Sequence, residues 1–431
     1  MTYQKTLEYL FLLQKNGMKL GLSSMFELLS NLNNPHQNLK TIHVGGTNGK
    51  GSTCSTLAAC LQASGYKVGL YTSPHLIDFS ERVVVNSIPI AQKDVIRLTR
   101  SIMNSMKHTP TFFEFTTAMA FLYFLEQQAD IAVIEVGLGG RLDSTNVLTP
   151  LVSVITNIDY DHQEYLGSTL FEIGNEKAGI IKKGVPVVSG VSQPGVRDLI
   201  SRTAASLNAP VFRLGSDFSF KSLTSAQFQS FFDYKGINRS FSNLSTPLLG
   251  EHQKANVSLA LAALELILEK GFKVTEEHLR EGIQKVDWPG RIEIIKEKPL
   301  MILDGAHNPA GARVLAEFLR GLNSSGNKYL ILGIMKDKDI YKIGEALFPW
   351  ADEIILTQPH FQRAAPPQDL REALPPTSKP VHLIETISET LRFLRTRTLP
   401  DDIICFAGSL YTIGEVKAAL EGIHITVPLH G

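Results

Sequence analysis

Cysteine is scarce in this chain. Cys54, Cys60 and Cys405 are the only three thiols in 431 residues, too few and too irregularly spaced for a disulfide framework or a zinc cluster, so buried, reduced thiols are expected. Net charge is also missing, because 42 Lys+Arg balance 42 Asp+Glu. No global field exists to hold nucleic acid or an anionic membrane, and an anionic ligand has to be met by a local site. The longest apolar runs, at 118–125 and 259–264, fall well short of the roughly 20 residues that span a bilayer. Glu8 stands where a signal peptide would have its apolar core, so a cytoplasmic protein with neither membrane nor nucleic-acid partners is expected. No obvious association motif is present, and a monomer is expected. Internal repeats and low-complexity tracts are absent as well.

The remaining composition, 43% hydrophobic and 19% charged, is that of a soluble globular protein. The length suits two or three domains, two being the economical number. Apolar runs with polar tips alternate with helical patterns, which argues for a parallel α/β sheet. Helices are expected over 3–13, 112–126 and 251–270, and a small antiparallel excursion within 211–246, where Phe, Ser and Asn dominate. Trp288-Pro-Gly-Arg breaks the pattern. Beyond it, strands at 300–303, 329–332, 354–357, 381–384 and 403–407 alternate with helices. The expected architecture is a P-loop ATPase-type parallel-sheet domain over 1–288, then a smaller Rossmann-like α/β domain over 289–431.

The stretch Thr41-Ile-His-Val-Gly-Gly-Thr-Asn-Gly-Lys-Gly-Ser-Thr53 has the form of a phosphate-binding loop between a strand and a helix. Glycines let successive N–H groups point inward, and the helix start adds its positive end. Lys50 would reach the outer phosphates. The spacing departs from G-x-x-x-x-G-K-[ST]: Val44 occupies the first glycine position and Gly51 the place of the metal-binding hydroxyl. The metal of this loop is therefore expected to be held differently.

Further polar residues fall at strand ends, where open α/β sheets bind ligands. Ser73 follows an expected strand at 67–72. Glu135 interrupts an apolar strand, and a buried carboxylate needs a cation, either a metal or a salt-bridge partner. Asp159, Asp161 and His162 tip the next strand, as ligands or as structural groups. Lys177 reads by default as a solvated charge. In the second half, Asp304-Gly-Ala-His307-Asn-Pro reads as an active-site tip or as plain helix capping by Asn308, and Ser409 as a site residue or a turn. Gly137-Leu-Gly-Gly-Arg-Leu142 lacks the last glycine of the dinucleotide fingerprint, so nicotinamide binding is not expected.

Taken together, Gly46-Thr-Asn-Gly-Lys-Gly-Ser, Thr72-Ser-Pro-His-Leu, Glu81-Arg, Phe112-Phe-Glu-Phe, Glu135-Val-Gly-Leu-Gly-Gly-Arg-Leu-Asp-Ser-Thr-Asn, His162, Glu176-Lys-Ala-Gly, Gly250-Glu-His-Gln, Trp288-Pro-Gly-Arg and Asp304-Gly-Ala-His-Asn-Pro resemble the folylpolyglutamate synthase/dihydrofolate synthase family of the Mur ligase superfamily. The resemblance implies an amide ligase that uses ATP and Mg2+ to add L-glutamate to dihydropteroate or a folate through an acyl phosphate. It implies nucleotide contacts at Asn48, Gly49, Lys50, Gly51, Ser52, Asn256, Arg291 and Asp304, and magnesium ligands at Ser73, Glu135 and His162. Lys177 matches a carbamylated lysine. The pterin site would match Leu20, Gly21, Phe112, Phe113, Glu114, Leu142, Asp143 and Ser144, while His307 and Asp304 would orient the glutamate or help deprotonate its amine, with Ser409 nearby. A peptidoglycan Mur ligase is disfavoured because fewer than about 45 residues precede the loop, leaving no room for a nucleotide-sugar domain. A switch-type GTPase is disfavoured by the missing Asn-Lys-x-Asp signature.

Overall fold

Thr41-Ile-His-Val-Gly45 forms β1, buried at all five positions, as a strand enclosed on both faces must be. In the computed structural model, which describes residues 2–16, 21–224 and 228–423, β1 (Thr41–Gly45), β2 (Val68–Tyr71), β3 (Val83–Val85), β4 (Ile88–Pro89), β5 (Ile131–Glu135), β6 (Val152–Ile155), β7 (Val187–Ser189) and β8 (Val211–Arg213) build one sheet. Its order is β4-β3-β2-β5-β1-β6-β7-β8. The strands from β2 to β8 run parallel, whereas β3 and β4 add an antiparallel edge that the sequence pattern did not suggest. The helix Lys50–Ala63 packs against β2 and β5 on one side and the helices Glu251–Leu268 and Glu276–Gln284 on the other. That enclosure explains why it is buried nearly all round with small residues rather than along one stripe.

The excursion within 211–246 is only partly separate. Residues 211–213 extend the main sheet as β8, and a three-stranded antiparallel sheet follows from β9 (Ser219–Ser222), β10 (Ser230–Lys235) and β11 (Ser240–Thr246). Glu265, buried on the long helix, ties it down: its carboxylate accepts from Tyr234 Oη (2.7 Å) and from the backbone N–H groups of Ile237 (3.2 Å), Asn238 (2.7 Å) and Arg239 (3.0 Å). Glu265→Ala would leave the buried Tyr234 hydroxyl and three part-buried N–H groups without their acceptor. Urea titration should show a loss of about 3 kcal/mol; a change below about 1 kcal/mol would mean the β10–β11 turn holds itself.

These elements, as Met1–His75, Phe79–Pro247 and Glu251–Asp287, form one compact unit. A second comprises Leu76–Asp78, Leu248–Gly250 and Trp288–Gly431. Its sheet contains β12 (Glu293–Glu297), β13 (Leu300–Leu303), β14 (Lys328–Leu332), β15 (Glu353–Gln358), β16 (Val381–Thr386) and β17 (Ile403–Ala407) in the order β12-β13-β17-β14-β15-β16. All five expected strands are present; β12, half exposed and antiparallel, is the addition. Leu303, Ile331, Ile355, Ile404 and Phe406 pack with Ile387, Leu391, Ile413 and Val416 of two helices into its core. All three cysteines are free and buried, and among the described residues no helix is long and apolar enough to cross a membrane.

Candidate active site

In the first unit, the adjacent strands β2, β5, β1 and β6 bring four polar tips side by side. β1 runs into the glycine loop, which turns through Gly46 (φ +142°) and Gly49 (φ +82°) into the helix Lys50–Ala63. A side chain is excluded at both glycines. A Cβ on Gly46 would lie 1.9 Å from Thr156 Oγ1, and one on Gly49 2.3 Å from Asn256 Oδ1. Backbone and side chains of the β6 tip clip the loop into shape: Thr47 N donates to Asn157 O (2.9 Å), Asn48 N to Asn157 Oδ1 (2.7 Å), and Thr156 Oγ1 to Asn48 O (2.6 Å). Thr47 Oγ1 donates to Asp159 O (3.1 Å) and accepts from Asp159 N (3.0 Å). Sequence reasoning marks that strand end but misses these clips. Gly51 and Ser52 are buried in the first helical turn.

Two lysines converge on one carbonyl. Lys50 Nζ donates to Gly46 O (3.2 Å) and Thr47 O (3.0 Å), and Lys177 Nζ donates to Gly46 O (2.9 Å). Lys177 is therefore no solvated charge: it is 4% exposed. Burial first, and then the charge of Lys50, pull its pKa down from 10.5 to about 7. The amine is thus partly neutral near neutral pH.

Glu135 ends β5, buried, and its Oε2 accepts from Ser73 N (3.1 Å) on the β2 tip. His162 is more exposed, has a left-handed backbone (φ +50°), and stands with Nε2 3.8 Å from Asp161 Oδ1. Among the described residues no three His, Cys, Asp or Glu side chains group closely enough to hold a metal ion. A serine hydroxyl, one carboxylate and one imidazole still suit a hard divalent cation that keeps its other positions for water and phosphate oxygens. The donor set and the adjoining glycine cradle fit a metal–nucleotide complex.

Of the residues expected to meet a pterin, Phe113 and the 142–144 segment lie around the β5 exit. Phe112 is buried, stacked on Phe11 (5.6 Å between centroids), with the Arg82 guanidinium 5.1 Å from its ring. Phe113 is only half-buried and lies over Gly137, where a Cβ would sit 2.4 Å from Phe113 Cζ. Of the two rings, Phe113 has surface left for a ligand. Glu114 is occupied within the fold. Its Oε2 accepts from Thr111 N (2.7 Å) while its own N–H donates to Thr111 Oγ1 (3.2 Å), a capping box at the start of the helix Phe112–Glu126. Asp143 is buried and accepts from Leu138 N (2.9 Å), Thr145 N (3.0 Å) and Thr145 Oγ1. Leu142 and Ser144 flank it, half-buried, and Gly21 (φ +129°) has open space beside it. Leu20 lies outside the described residues.

In the second unit, the tips of β13, β17 and β14 are neighbours. Asp304 follows β13, buried, and accepts from Ile292 N (2.9 Å) and Ala306 N (2.8 Å). Burial pushes its pKa up; the Arg291 guanidinium, these N–H groups and His307 act against that. Ile292 has φ +50°, a strained backbone for a β-branched residue, next to Arg291. Arg291 Nη1 donates to Gly290 O (3.0 Å), and a Cβ on Gly305 would come within 2.4 Å of that nitrogen. His307 Nδ1 meets Gly305 O (2.8 Å). Asn308 does cap its helix, accepting from Gly311 N (2.8 Å). Ser409 caps the helix Leu410–Glu421, accepting from Thr412 N (3.0 Å). Gly408 N donates to Ala306 O (3.0 Å) and Thr412 Oγ1 to Gly333 O (2.8 Å), which ties the three tips together.

Comparison with known proteins gives the same division of labour. Residues 44–264 match the Mur ligase middle domain, and residues 290–410 the Mur ligase glutamate ligase domain. A dihydrofolate synthase/folylpolyglutamate synthase of Bacillus subtilis is 36% identical over 419 residues, 94% of this chain and 96% of that protein. E. coli FolC, solved in complex with DHPP and ADP, superposes with a TM-score of 0.89 at 30% identity, covering 98% of both chains. A bifunctional folylpolyglutamate synthase/dihydrofolate synthase of Yersinia pestis, complexed with AMPPNP and Mn ion, gives 0.87 at 31%, again over 98% of both chains. With one sequence relation and two structural ones spanning nearly its whole length, the chain belongs to the folylpolyglutamate synthase/dihydrofolate synthase family of Mur ligases.

Proposed function

We infer that the protein is an ATP-dependent ligase that joins L-glutamate in amide linkage to dihydropteroate, to reduced folates, or to both. The observation that carries this reading is the pre-shaped glycine loop with Lys50 and Lys177 on one carbonyl, set among the tips of four adjacent strands. Gly49, Gly51 and Ser52 offer backbone N–H groups to the phosphates, Asn48 holds the loop open through its N–H to Asn157, and Lys50 places a charge beside the outer phosphates. Asn256, packed against Gly49, shapes the far side of the cradle. Ser73, Glu135 and His162 are the groups that would hold Mg2+, which when bound polarises the phosphoryl oxygens.

The acceptor carboxylate attacks the γ-phosphorus and the bond to ADP breaks, giving an acyl phosphate. The amine of glutamate then adds to that carbonyl, phosphate leaves and an amide remains. Lys50 stabilises the charge that develops on the phosphoryl oxygens. Asp304 and His307 orient the glutamate and accept the proton its amine sheds. Phe113 and residues 142–144 hold the acceptor. Lys177 takes up CO2 as a neutral amine, losing a proton and becoming a carbamate, which converts a buried cation into an anion beside the metal ligands. Its pKa of about 7 supports this, because only the unprotonated amine reacts.

Incubating the protein with ATP, Mg2+ and glutamate, separately with dihydropteroate and with a reduced folate monoglutamate, tests the reading. Mass spectrometry should show one or more added glutamyl groups, with one ADP per bond. Nucleotide hydrolysis that ignores both acceptors and yields no amide would overturn it.

A further inference from the structure

His43 lies in the middle of β1, fully buried, in the same strand that feeds the phosphate loop. Nothing in the nucleotide chemistry uses it. Its Nε2 lies 2.8 Å from Thr145 Oγ1, and its Nδ1 is buried with no hydrogen-bond partner. Thr145, also fully buried, passes its own hydroxyl to Asp143 Oδ1.

The donors fix the direction of this chain. Asp143 faces backbone N–H groups, which can only donate, from Thr145 on Oδ1 and from Leu138 on Oδ2. Burial raises the Asp143 pKa and these bonds act against that rise; the geometry has the Thr145 hydroxyl donating to the Asp143 carboxylate. With that proton committed, Thr145 Oγ1 can only accept from the ring, so His43 carries its proton on Nε2. Burial, reinforced by the charge of Lys182, brings the His43 pKa down to about 3, consistent with a neutral ring whose second nitrogen stays bare. A buried polar atom left unpaired is costly and needs a reason.

We propose that His43 is a positioning residue for the acceptor site, acting through Thr145 and Asp143 on residues 138–144. β1 pairs with β5 on one side, His43 opposite Ile134, and with β6 on the other, so the imidazole is anchored in the interior of the sheet. From there it delivers one N–H to the loop that leaves β5. Asp143 gathers that loop through Leu138 and Thr145, and Leu142 and Ser144 flank it. One rigid strand thereby sets two loops: its carboxyl end shapes the phosphate cradle, and its central side chain fixes the loop assigned to the acceptor. The proposal rests on the assignment of residues 142–144 to the acceptor site.

Four variants test it. Thr145→Val removes the relay and should raise KM for dihydropteroate or folate about tenfold while KM for ATP stays within about twofold. Thr145→Ser and His43→Gln, which keep the hydroxyl and a donor near the Nε2 position, should recover to within about threefold of the parent. The double variant His43→Leu/Thr145→Val should be no worse than Thr145→Val, because the two act in one chain. Hydrogen exchange at residues 137–146, which needs no turnover, should quicken in Thr145→Val and not in Thr145→Ser. Equal changes in both KM values, or unchanged exchange with unchanged KM, would overturn the relay. If the parent adds no glutamate to either acceptor, the functional reading fails, and exchange at 137–146 alone decides whether His43 holds the loop.

Discussion

Lys50→Ala is expected to lower kcat at least a hundredfold while leaving the fold intact. The Lys50 side chain is half exposed, and its ammonium donates to the carbonyls of Gly46 and Thr47, so the loop already fixes where the charge stands before any nucleotide arrives. Preorganised charge costs no reorganisation when the phosphoryl group transfers, and removing one such donor typically loses about 3 kcal/mol of transition-state stabilisation. The loop should survive the change. Its shape is held by Thr47, Asn48, Thr156 and Asn157, none of which depends on the lysine ammonium. The check is steady-state glutamate incorporation alongside thermal unfolding. Activity within about threefold of the parent would remove Lys50 from the phosphoryl step.

Lys177→Met should separate activity from stability in opposite directions. Loss of the amine removes the group that we assign to carbamate formation, and glutamate incorporation should fall by roughly two orders of magnitude. Stability should rise. The pKa of Lys177 is about 7 in the folded chain against an ordinary 10.5, so between those pH values the unfolded chain binds a proton that the fold does not. The contribution of this group to stability therefore increases with pH across that window, and its penalty is largest below about pH 7. A methionine of similar length carries no such penalty. Gly46 O, which loses Lys177 as a donor, still accepts from Lys50. Thermal scans at pH 6.5 in CO2-free buffer should show a higher midpoint for the variant, with the difference shrinking towards pH 10. A midpoint below that of the parent at pH 6.5 would refute the burial penalty; full activity would refute the catalytic role.

The strand and helix pattern was legible because most elements here obey simple periodicities. β5 and β17 are buried at every position and read as nearly continuous apolar runs; the helices of the second unit follow strands at regular intervals. The two edge pairings, β3 with β4 and β12 with β13, escaped notice because edge strands are short or half exposed and carry little pattern. Phe112 and Phe113 are adjacent in sequence, yet only the fold reveals that Phe11 and Arg82 occupy the first of them. Glu114 entered through the resemblance as a pterin contact, and only the fold shows its carboxylate closing a capping box with Thr111. Lys177 is the sharpest case. Composition makes it a solvated charge, and only the approach of Gly46 from over a hundred positions earlier puts it beside Lys50. His43 was open to discovery by the argument applied to Glu135, a polar group in an apolar strand, but its partner Thr145 lies in a loop with no periodic signal.

The clips that join the phosphate loop to the β6 tip have a thermodynamic consequence. A loop of this kind left free would lose several residues' worth of backbone freedom each time a nucleotide bound. Here that ordering is completed during folding, at the expense of the unfolded chain, so the nucleotide meets a rigid receptor. Recognition then behaves as lock and key, and the bound phosphate adds to the stability of the folded state instead of having to create it.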